Sequence, residues 1–259
     1  MDKSEYARMY HLESNFWWYK VLHELVDTTI NKNKPDGDIR ILDAGCGTGR
    51  MMEICQKFGT VFGIDYSADA VGFAKKRGLN NVEMGDLNDY QFKKDTYNAV
   101  VCLDVLYHSA IQNDLAVIEK FYYTLKDDGI LIINLPAFEY LKRSHDIVVH
   151  TKKRYRRKAF ENDLKGTGFT ILLSSYRMPH LYFIILISKL FRKKNKSNES
   201  ESDLQELPAW LNSTLLFFGR VENRWLRNGF SIPMGSSLFT VAKKTYSLSN
   251  KYDGGISKT

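Results

Sequence analysis

The chain has 259 residues, of which 44% are hydrophobic and 13% aromatic, and its formal net charge is +7. This length and composition suffice for one large domain, or for one domain with an insertion, and no internal repeats are recognisable. Its three cysteines, Cys46, Cys55 and Cys102, have no Cys-x-x-Cys spacing, so the sequence predicts neither a disulfide framework nor a metal site and favours a reducing cytoplasm.

The first 38 residues predict a helical cap. They begin without the apolar run of a signal peptide. Residues 6–30 are expected to form one helix, which carries the aromatic cluster Phe16-Trp17-Trp18-Tyr19. Exposure of Trp17 and Trp18 would be costly, so they either dock this helix on the rest of the domain or line a substrate pocket. A polar stretch at 31–38, with a proline and a glycine, predicts a linker.

The main domain begins with a strand at 39–42 that ends at Asp43 and runs into a turn with Gly45, Gly47 and Gly49. Alternating glycines between a strand and a helix allow close approach of a ligand, as in nucleotide-binding sheets. The dinucleotide pattern, however, is Gly-x-Gly-x-x-Gly. The carboxylate of Asp43 would repel a pyrophosphate and attract a cation, so the turn predicts a positively charged ligand. A tight turn without a ligand is the alternative.

Strands and helices alternate after this turn, which predicts a parallel sheet with crossover helices. The expected elements are strands at 60–64, 81–84, 98–103 and 130–135, and helices at 50–58, 67–77 and 113–125. Four successive strands end in an acid, at Asp43, Asp65, Asp86 and Asp104. A single such acid often caps a helix, but four favour a ligand site at the carboxyl edge of the sheet. Asp65 can accept hydrogen bonds from both hydroxyls of a ribose.

The glycine turn and the acids after the strands resemble class I S-adenosylmethionine-dependent methyltransferases, over roughly residues 39–135 and again at the last strand. The resemblance implies a doubly wound α/β fold with a seven-stranded, mostly parallel sheet, in which the seventh strand is antiparallel and lies beside the sixth. It also implies S-adenosylmethionine as the cofactor. The implied cofactor-binding residues are Asp43, Gly45, Cys46, Gly47, Gly49, Asp65, Tyr66, Asp86, Leu87 and Asp104. Cys46 departs from the small residues typical of its position.

The pattern changes after Pro136. The expected elements are a helix at 155–166, a strand at 169–176, a second helix at 209–227 and a last strand at 236–244. Between the two strands lies the apolar run 181–187, which is far shorter than the about 20 residues that span a bilayer. It is interpreted as part of a helical lid, with peripheral membrane contact as the alternative. The predicted organisation is a cap at 1–38, a core at 39–177 plus 232–247, a lid at 178–231 and a disordered tail at 248–259.

Methyl transfer from a sulfonium requires the acceptor to be positioned in line, and an oxygen or nitrogen acceptor can also need a base. The segment from His145-Asp146 to Arg154-Tyr155 resembles a methyltransferase subgroup associated with glycan and cell-envelope gene sets. That subgroup also carries an early Trp-Trp pair and a final Pro-x-Gly-x-Ser-Leu, found here at 233–238. The candidate catalytic residues are His145, Asp146, His108 and Tyr155. A structural His-Asp hydrogen bond that anchors the lid is the alternative for the first two.

Six of the seven residues at 152–158 are basic, which indicates either a solvated helix face or a site for a phosphate, a carboxylate or an anionic headgroup. The candidate substrate-binding residues are Trp17, Trp18, Tyr107 and Arg154. A small-molecule or lipid- or phosphate-linked saccharide acceptor is therefore predicted, in the cytoplasm or at a membrane surface. Nucleic acid is less favoured because no recognition motif accompanies the basic run. An RNA methyltransferase and an inactive cofactor-binding protein are the alternative functions.

Overall fold

The structure, a computed structural model, describes residues 3–191 and 207–245, without the side chains of residues 3, 4, 145, 148, 190 and 191. The predicted tail at 248–259 lies outside this range. Seven strands form one sheet in the order β3-β2-β1-β4-β5-β7-β6. The strands are β1 Ile39–Ala44, β2 Gly59–Asp65, β3 Val82–Met84, β4 Tyr97–Leu103, β5 Leu125–Pro136, β6 Phe169–Arg177 and β7 Ser237–Lys244. Since β7 pairs antiparallel with both β5 and β6, and the other pairs are parallel, the predicted fold is confirmed.

Helices flank the sheet on both faces, and their ends follow local signals. The side chains of Ser67 and Asn113 accept hydrogen bonds from backbone amides in the first turns of α4 and α5, which is why these helices begin there. The helices are α1 Lys3–Leu12, α2 Trp17–Asn33, α3 Arg50–Cys55, α4 Ala68–Lys76, α5 Asp114–Thr124, α6 Ser144–Val148, α7 Arg157–Thr167, α8 Pro179–Phe191 and α9 Ala209–Arg227.

The expectation of one helix over residues 6–30 was wrong, because the cap contains two helices separated at 13–16. A contact distant in sequence fixes this break. The Asn212 side chain of α9 accepts a hydrogen bond from the Trp17 amide at 2.9 Å and donates to the Asn15 carbonyl at 3.2 Å. The turn thus has partners for backbone groups that a continuous helix would have paired internally.

The hydrophobic core has two large clusters, one on each face of the sheet. Ile41 and Leu42 are consecutive in β1, both are fully buried, and each belongs to a different cluster. Side chains alternate between the faces of a strand, so a strand buried on both faces needs a continuous apolar run. The carboxyl ends of the parallel strands all lie at one edge of this sheet.

The insertion between β6 and β7 contributes α8 and α9, and α9 packs on α2. A Cβ atom on Gly219 would lie 2.5 Å from Cγ2 of Val21, so only glycine permits this close approach. The Asn223 side chain also donates to the Val21 carbonyl at 2.7 Å. The insertion and the cap therefore form one layer. Among the helices within residues 3–191 and 207–245, none is long and apolar enough to cross a membrane.

Candidate cofactor and acceptor site

The glycine turn after β1 has a backbone that other residues could not adopt without strain. Gly45 and Gly47 have φ angles of +81° and +54°. A Cβ atom on Gly45 would lie 2.2 Å from the Val105 side chain, and one on Gly47 would lie 2.8 Å from Cε of Met9. The amides of Gly45 and Cys46 both donate to the Ile64 carbonyl of β2, at 2.7 and 3.0 Å. The turn is thereby held over the end of the neighbouring strand.

Asp65, at the end of β2, is fixed by two backbone amides. Its Oδ2 accepts from Gly47 at 2.8 Å and its Oδ1 accepts from Ser67 at 2.9 Å. The side chain is buried, which raises its pKa, while the two amides oppose that shift. The carboxylate is thus oriented beside the glycine turn before any ligand arrives.

Asp43 is a buried carboxylate with one unsatisfied oxygen. It is 3% exposed, and its Oδ2 has no hydrogen-bond partner in the described part of the chain. Burial, followed by the negative charges of Asp65 and Glu13, raises the pKa of Asp43 to about 8. A carboxylate in such surroundings gains most from a cationic group placed next to it.

The other predicted cofactor residues border the same edge of the sheet. Asp86 accepts from the Asn88 amide at 2.9 Å, and Leu87 is buried in the cluster beneath it. Tyr66 is 68% exposed. Burial raises the pKa of the Cys46 thiol, as expected for a thiol near carboxylates.

Asp104 follows β4 with a φ of +56°, a conformation that is uncommon outside glycine. Asn134 of β5 donates to both of its carboxylate oxygens, at 3.1 and 3.0 Å. Burial raises the pKa of Asp104 to about 7, against the opposing effects of Asn134 and Arg177. Burial raises the pKa values of Tyr19 and Tyr107, and the charge of Asp104 adds to both shifts, after that of Glu13 in the case of Tyr19. All three residues are half-buried.

The predicted catalytic and substrate-binding residues lie in different surroundings from one another. Asp146 and Arg154 form a buried bidentate pair, with distances of 2.8 and 3.0 Å. Burial opposes ionisation of Asp146, but Arg154 outweighs it and holds the pKa of that carboxyl below its usual value. Both groups are thus engaged with each other. The backbone of His145 lies in α6, and its side chain is outside the description.

His108 and Tyr155 both have partners in this structure. Nδ1 of His108 accepts from the Ala110 amide at 3.1 Å, and burial lowers the pKa of the imidazole. The Tyr155 hydroxyl lies 3.1 Å from the Leu106 carbonyl and 2.9 Å from Asp114 Oδ2 within the hydrophobic core. Catalytic roles for these two residues stay predictions.

Trp17 and Trp18 occupy different surroundings. Trp17 is 4% exposed and packs with Val21 and Met178 under the insertion, which favours the docking interpretation for this residue. Trp18 is half-buried, and its ring lies 5.0 Å from that of Tyr19.

Comparison with known proteins shows which class of ligand this site binds. The sequence matches the methyltransferase-domain family over residues 35–175, more than half of the chain and all four acids that end strands. The chain belongs to the class I S-adenosylmethionine-dependent methyltransferases. This methyltransferase has S-adenosylmethionine as its cofactor, and the acids and glycines described above fit a ligand that carries an ammonium and a sulfonium but no phosphate.

Individual relatives have only 23–33% sequence identity to this chain over the aligned residues. A dTDP-3-amino-3,6-dideoxy-α-D-glucopyranose N,N-dimethyltransferase of Streptomyces fradiae is 33% identical over 36% of this chain and 38% of its own length. Phosphoethanolamine N-methyltransferase 3 of Arabidopsis thaliana is 23% identical over 72% of this chain and 41% of its own. The methyltransferase therefore spans about two fifths of the length of these relatives.

A solved structure shares the fold. Phosphoethanolamine N-methyltransferase 2 of Haemonchus contortus, in complex with S-adenosylmethionine, superposes with a TM-score of 0.55 at 19% identity. The match covers 85% of this chain and 52% of that chain.

The cap supplies residues that the sequence did not indicate. Met9 of α1 lies against Gly47, and the buried Glu13 accepts hydrogen bonds from Thr48 and Arg77. Arg77, at the end of α4, also donates to the Thr48 carbonyl at 2.9 Å. These contacts hold α1 over the glycine turn. The sequence signal for them is that Met9 and Glu13 are four residues apart, about one helical turn.

Substitution of Asp43 by Asn should stabilise the free methyltransferase and weaken cofactor binding. The folded-state pKa of Asp43, about 8, lies above the reference value of 3.8. The folded protein thus keeps a proton that the unfolded chain loses, and wild-type stability falls as the pH rises through this interval. Asn removes that loss, so the Tm advantage of Asp43→Asn should grow between about pH 4 and pH 8. A constant Tm difference across this interval would contradict the assignment.

Proposed function

We propose that this methyltransferase transfers a methyl group to an oxygen or nitrogen of a small molecule or of a lipid- or phosphate-linked saccharide. The observation that carries the proposal is the carboxylate of Asp104 at the end of β4, which Asn134 holds through both oxygens. Tyr19 from the cap and Tyr107 from the loop after β4 are near enough for the charge of Asp104 to add to the rise that burial causes in their pKa values. One acid with two phenols nearby suits a small polar acceptor better than a nucleic acid strand.

The relatives support an acceptor of this size. One methylates the amino group of a nucleotide-linked sugar, and another methylates phosphoethanolamine, according to their names. Both acceptors combine an amine with a phosphate. An amine could bind between the Asp104 carboxylate and the phenol rings of Tyr19 and Tyr107, because carboxylates and aromatic faces both attract cations.

The proposed mechanism assigns acid–base and positioning roles to residues of this chain. When bound, S-adenosylmethionine supplies an electrophilic methyl group. Asp104 accepts the proton that the acceptor loses, and Asn134 holds both of its oxygens in place. The pKa of Asp104, about 7, suits a base that works near neutral pH. His145 is the second proposed base, and Asp146, His108, Tyr155 and Arg154 keep their predicted roles as proposals.

The pH dependence of turnover should separate the two bases. With Asp104 as the base, the methylation rate of the wild type rises as the pH increases through about 7, because only the ionised carboxylate accepts a proton. Asp104→Asn should lower kcat by roughly 100-fold and remove this limb of the profile. His145→Ala should then change the rate much less. The opposite pattern, with a large loss in His145→Ala and an unchanged profile in Asp104→Asn, would assign the base to His145.

Labelling of an acceptor panel tests the acceptor class. Transfer of a radiolabelled methyl group would be measured to a nucleotide-linked amino sugar, a lipid-phosphate-linked saccharide, phosphoethanolamine and RNA. We expect label in one of the first three. Label in RNA alone would contradict the proposal, and so would cofactor binding without transfer to any member.

A lipid-linked acceptor would bring this methyltransferase to a membrane. Peripheral membrane contact from the cytoplasm is therefore part of the proposal. The run at 181–187, interpreted from the sequence as a lid or a membrane contact, forms much of α8.

A further inference from the structure

We propose that the outer faces of α8 and α9 together form a docking surface for an anionic phospholipid bilayer. The inference deepens the proposed membrane contact by naming its surface and its lipid chemistry. It rests on side-chain exposure and charge, and does not depend on which acceptor is methylated.

Large apolar side chains are exposed unusually often on these two helices. Eight of the sixteen that are exposed among the described residues belong to α8 or α9. The outer face of α9 carries Trp210, Phe217, Phe218, Val221 and Trp225, which are 37–70% exposed. Tryptophan and phenylalanine are the side chains preferred at the boundary between headgroups and acyl chains.

The outer face of α8 continues this surface. Phe183, Ile184 and Ile187 are 50–56% exposed and recur at helical spacing from His180. His180 itself lines an apolar groove together with Phe218, Val221 and Trp225 of α9. The two outer faces therefore border the same groove.

The inner faces of both helices are already bound to the protein, which fixes the direction of the outer faces. Gly219 and Asn223 of α9 contact Val21 of α2. On α8, Ile185 is buried, and the Tyr182 hydroxyl lies 2.9 Å from that of Tyr140. The apolar outer residues consequently lie on the faces opposite these contacts.

The charge of this surface favours an anionic bilayer. Arg220, Arg224 and Arg227 are exposed and recur every three or four residues, so they form a stripe beside the aromatic side chains. Arg220 is paired with Glu24 of α2 at 2.6 Å, so the attraction to an anionic bilayer rests on Arg224 and Arg227. Glu222 is the single carboxylate in the sequences of the two helices, and it is buried. Each cation near an anionic membrane surface contributes about 1 kcal/mol of attraction.

The connection between the two helices, residues 192–206, is almost entirely polar in composition. Residues 192–206 contain one large apolar side chain, Leu204, among lysines, serines, acids and amides. Such a segment cannot supply the apolar surface needed to cover eight exposed side chains. A bilayer can cover them all at once.

Vesicle sedimentation with the full-length protein tests the proposal. Phosphatidylcholine vesicles would be compared with and without added phosphatidylglycerol, using the wild type, Phe217→Ala/Trp225→Ala and the control Leu115→Ala/Tyr123→Ala. The control removes two exposed apolar side chains from α5. We expect the wild type and the control to sediment with anionic vesicles. The α9 variant should bind these vesicles at least roughly tenfold more weakly than the wild type.

Three outcomes would overturn the proposal. They are no binding by the wild type, equal binding by the α9 variant, and equal loss in the control. Sedimentation velocity that shows a dimer which the α9 variant abolishes, without vesicle binding, would assign the surface to self-association. Unchanged circular dichroism and S-adenosylmethionine binding would show that the α9 variant folds, so failure here is distinguishable from failure of the proposed methyl transfer.

Discussion

Replacement of Asp65 by Ala is expected to lower the affinity for S-adenosylmethionine by at least roughly 100-fold. A hydrogen bond to a charged group contributes about 1.5–3 kcal/mol, and a ribose offers two donors to this carboxylate. The substitution also deprives the amides of Gly47 and Ser67 of their acceptor, so the glycine turn loses the contact that orients it. Titration calorimetry of the wild type and the variant measures the difference directly.

Two further variants separate a cofactor role for Asp65 from a purely structural one. Asp65→Asn keeps one oxygen acceptor and should bind with intermediate affinity. Asp36→Ala removes an exposed acid from the linker before β1 and should bind like the wild type. An Asp65→Ala protein that folds and binds the cofactor within a few-fold of the wild type would remove Asp65 from the binding site.

Replacement of Arg177 by Met should cause the largest loss of stability. Arg177 is fully buried at the end of β6, and its Nε lies 3.4 Å from Oε1 of Glu222 in α9. Its Nη1 also donates to Asn134 at 3.4 Å, and Asn134 in turn binds Asp104. Removal of the guanidinium leaves Glu222 as an uncompensated buried charge, which typically costs about 3–5 kcal/mol. Urea unfolding followed by circular dichroism measures this loss.

A double-mutant cycle distinguishes the ion pair from simple packing. Arg177→Met/Glu222→Met removes both charges, so the double variant should be more stable than the sum of the single losses predicts. Strictly additive losses would show that the two charges do not interact. Because Asn134 links Arg177 to Asp104, the Arg177→Met variant should also shift the pH profile of turnover, whereas a packing defect elsewhere would leave it unchanged.

The sequence predicted the sheet and the position of the glycine turn because those signals are local. A strand buried on both faces is a continuous apolar run, as at Ile39–Ala44, and glycines and acids mark where it stops. The turn at Gly45 and Gly47 needs positive φ angles, which few other residues adopt. These features depend on neighbours a few residues away.

The packing of the cap and the insertion could not be predicted in the same way, because it depends on contacts between distant segments. The break in the cap depends on Asn212, which lies 195 residues after Trp17. In the sequence, Glu13, Arg177 and Glu222 look like any surface charges, and only folding shows that they are buried. The sequence predicts separate roles for Asp146 and Arg154, whereas the structure pairs them with each other.

The central claim is that the acid-lined glycine turn binds a cation and not a phosphate. Titration of the wild type with S-adenosylmethionine and, separately, with ATP at neutral pH tests it most directly. Asp43 holds a proton in the free protein at this pH, since its pKa is about 8. We predict saturable binding of S-adenosylmethionine with release of protons, detected by repeating the titration in buffers of different ionisation enthalpy, and no binding of ATP. Binding of ATP with no heat from millimolar S-adenosylmethionine would contradict the account.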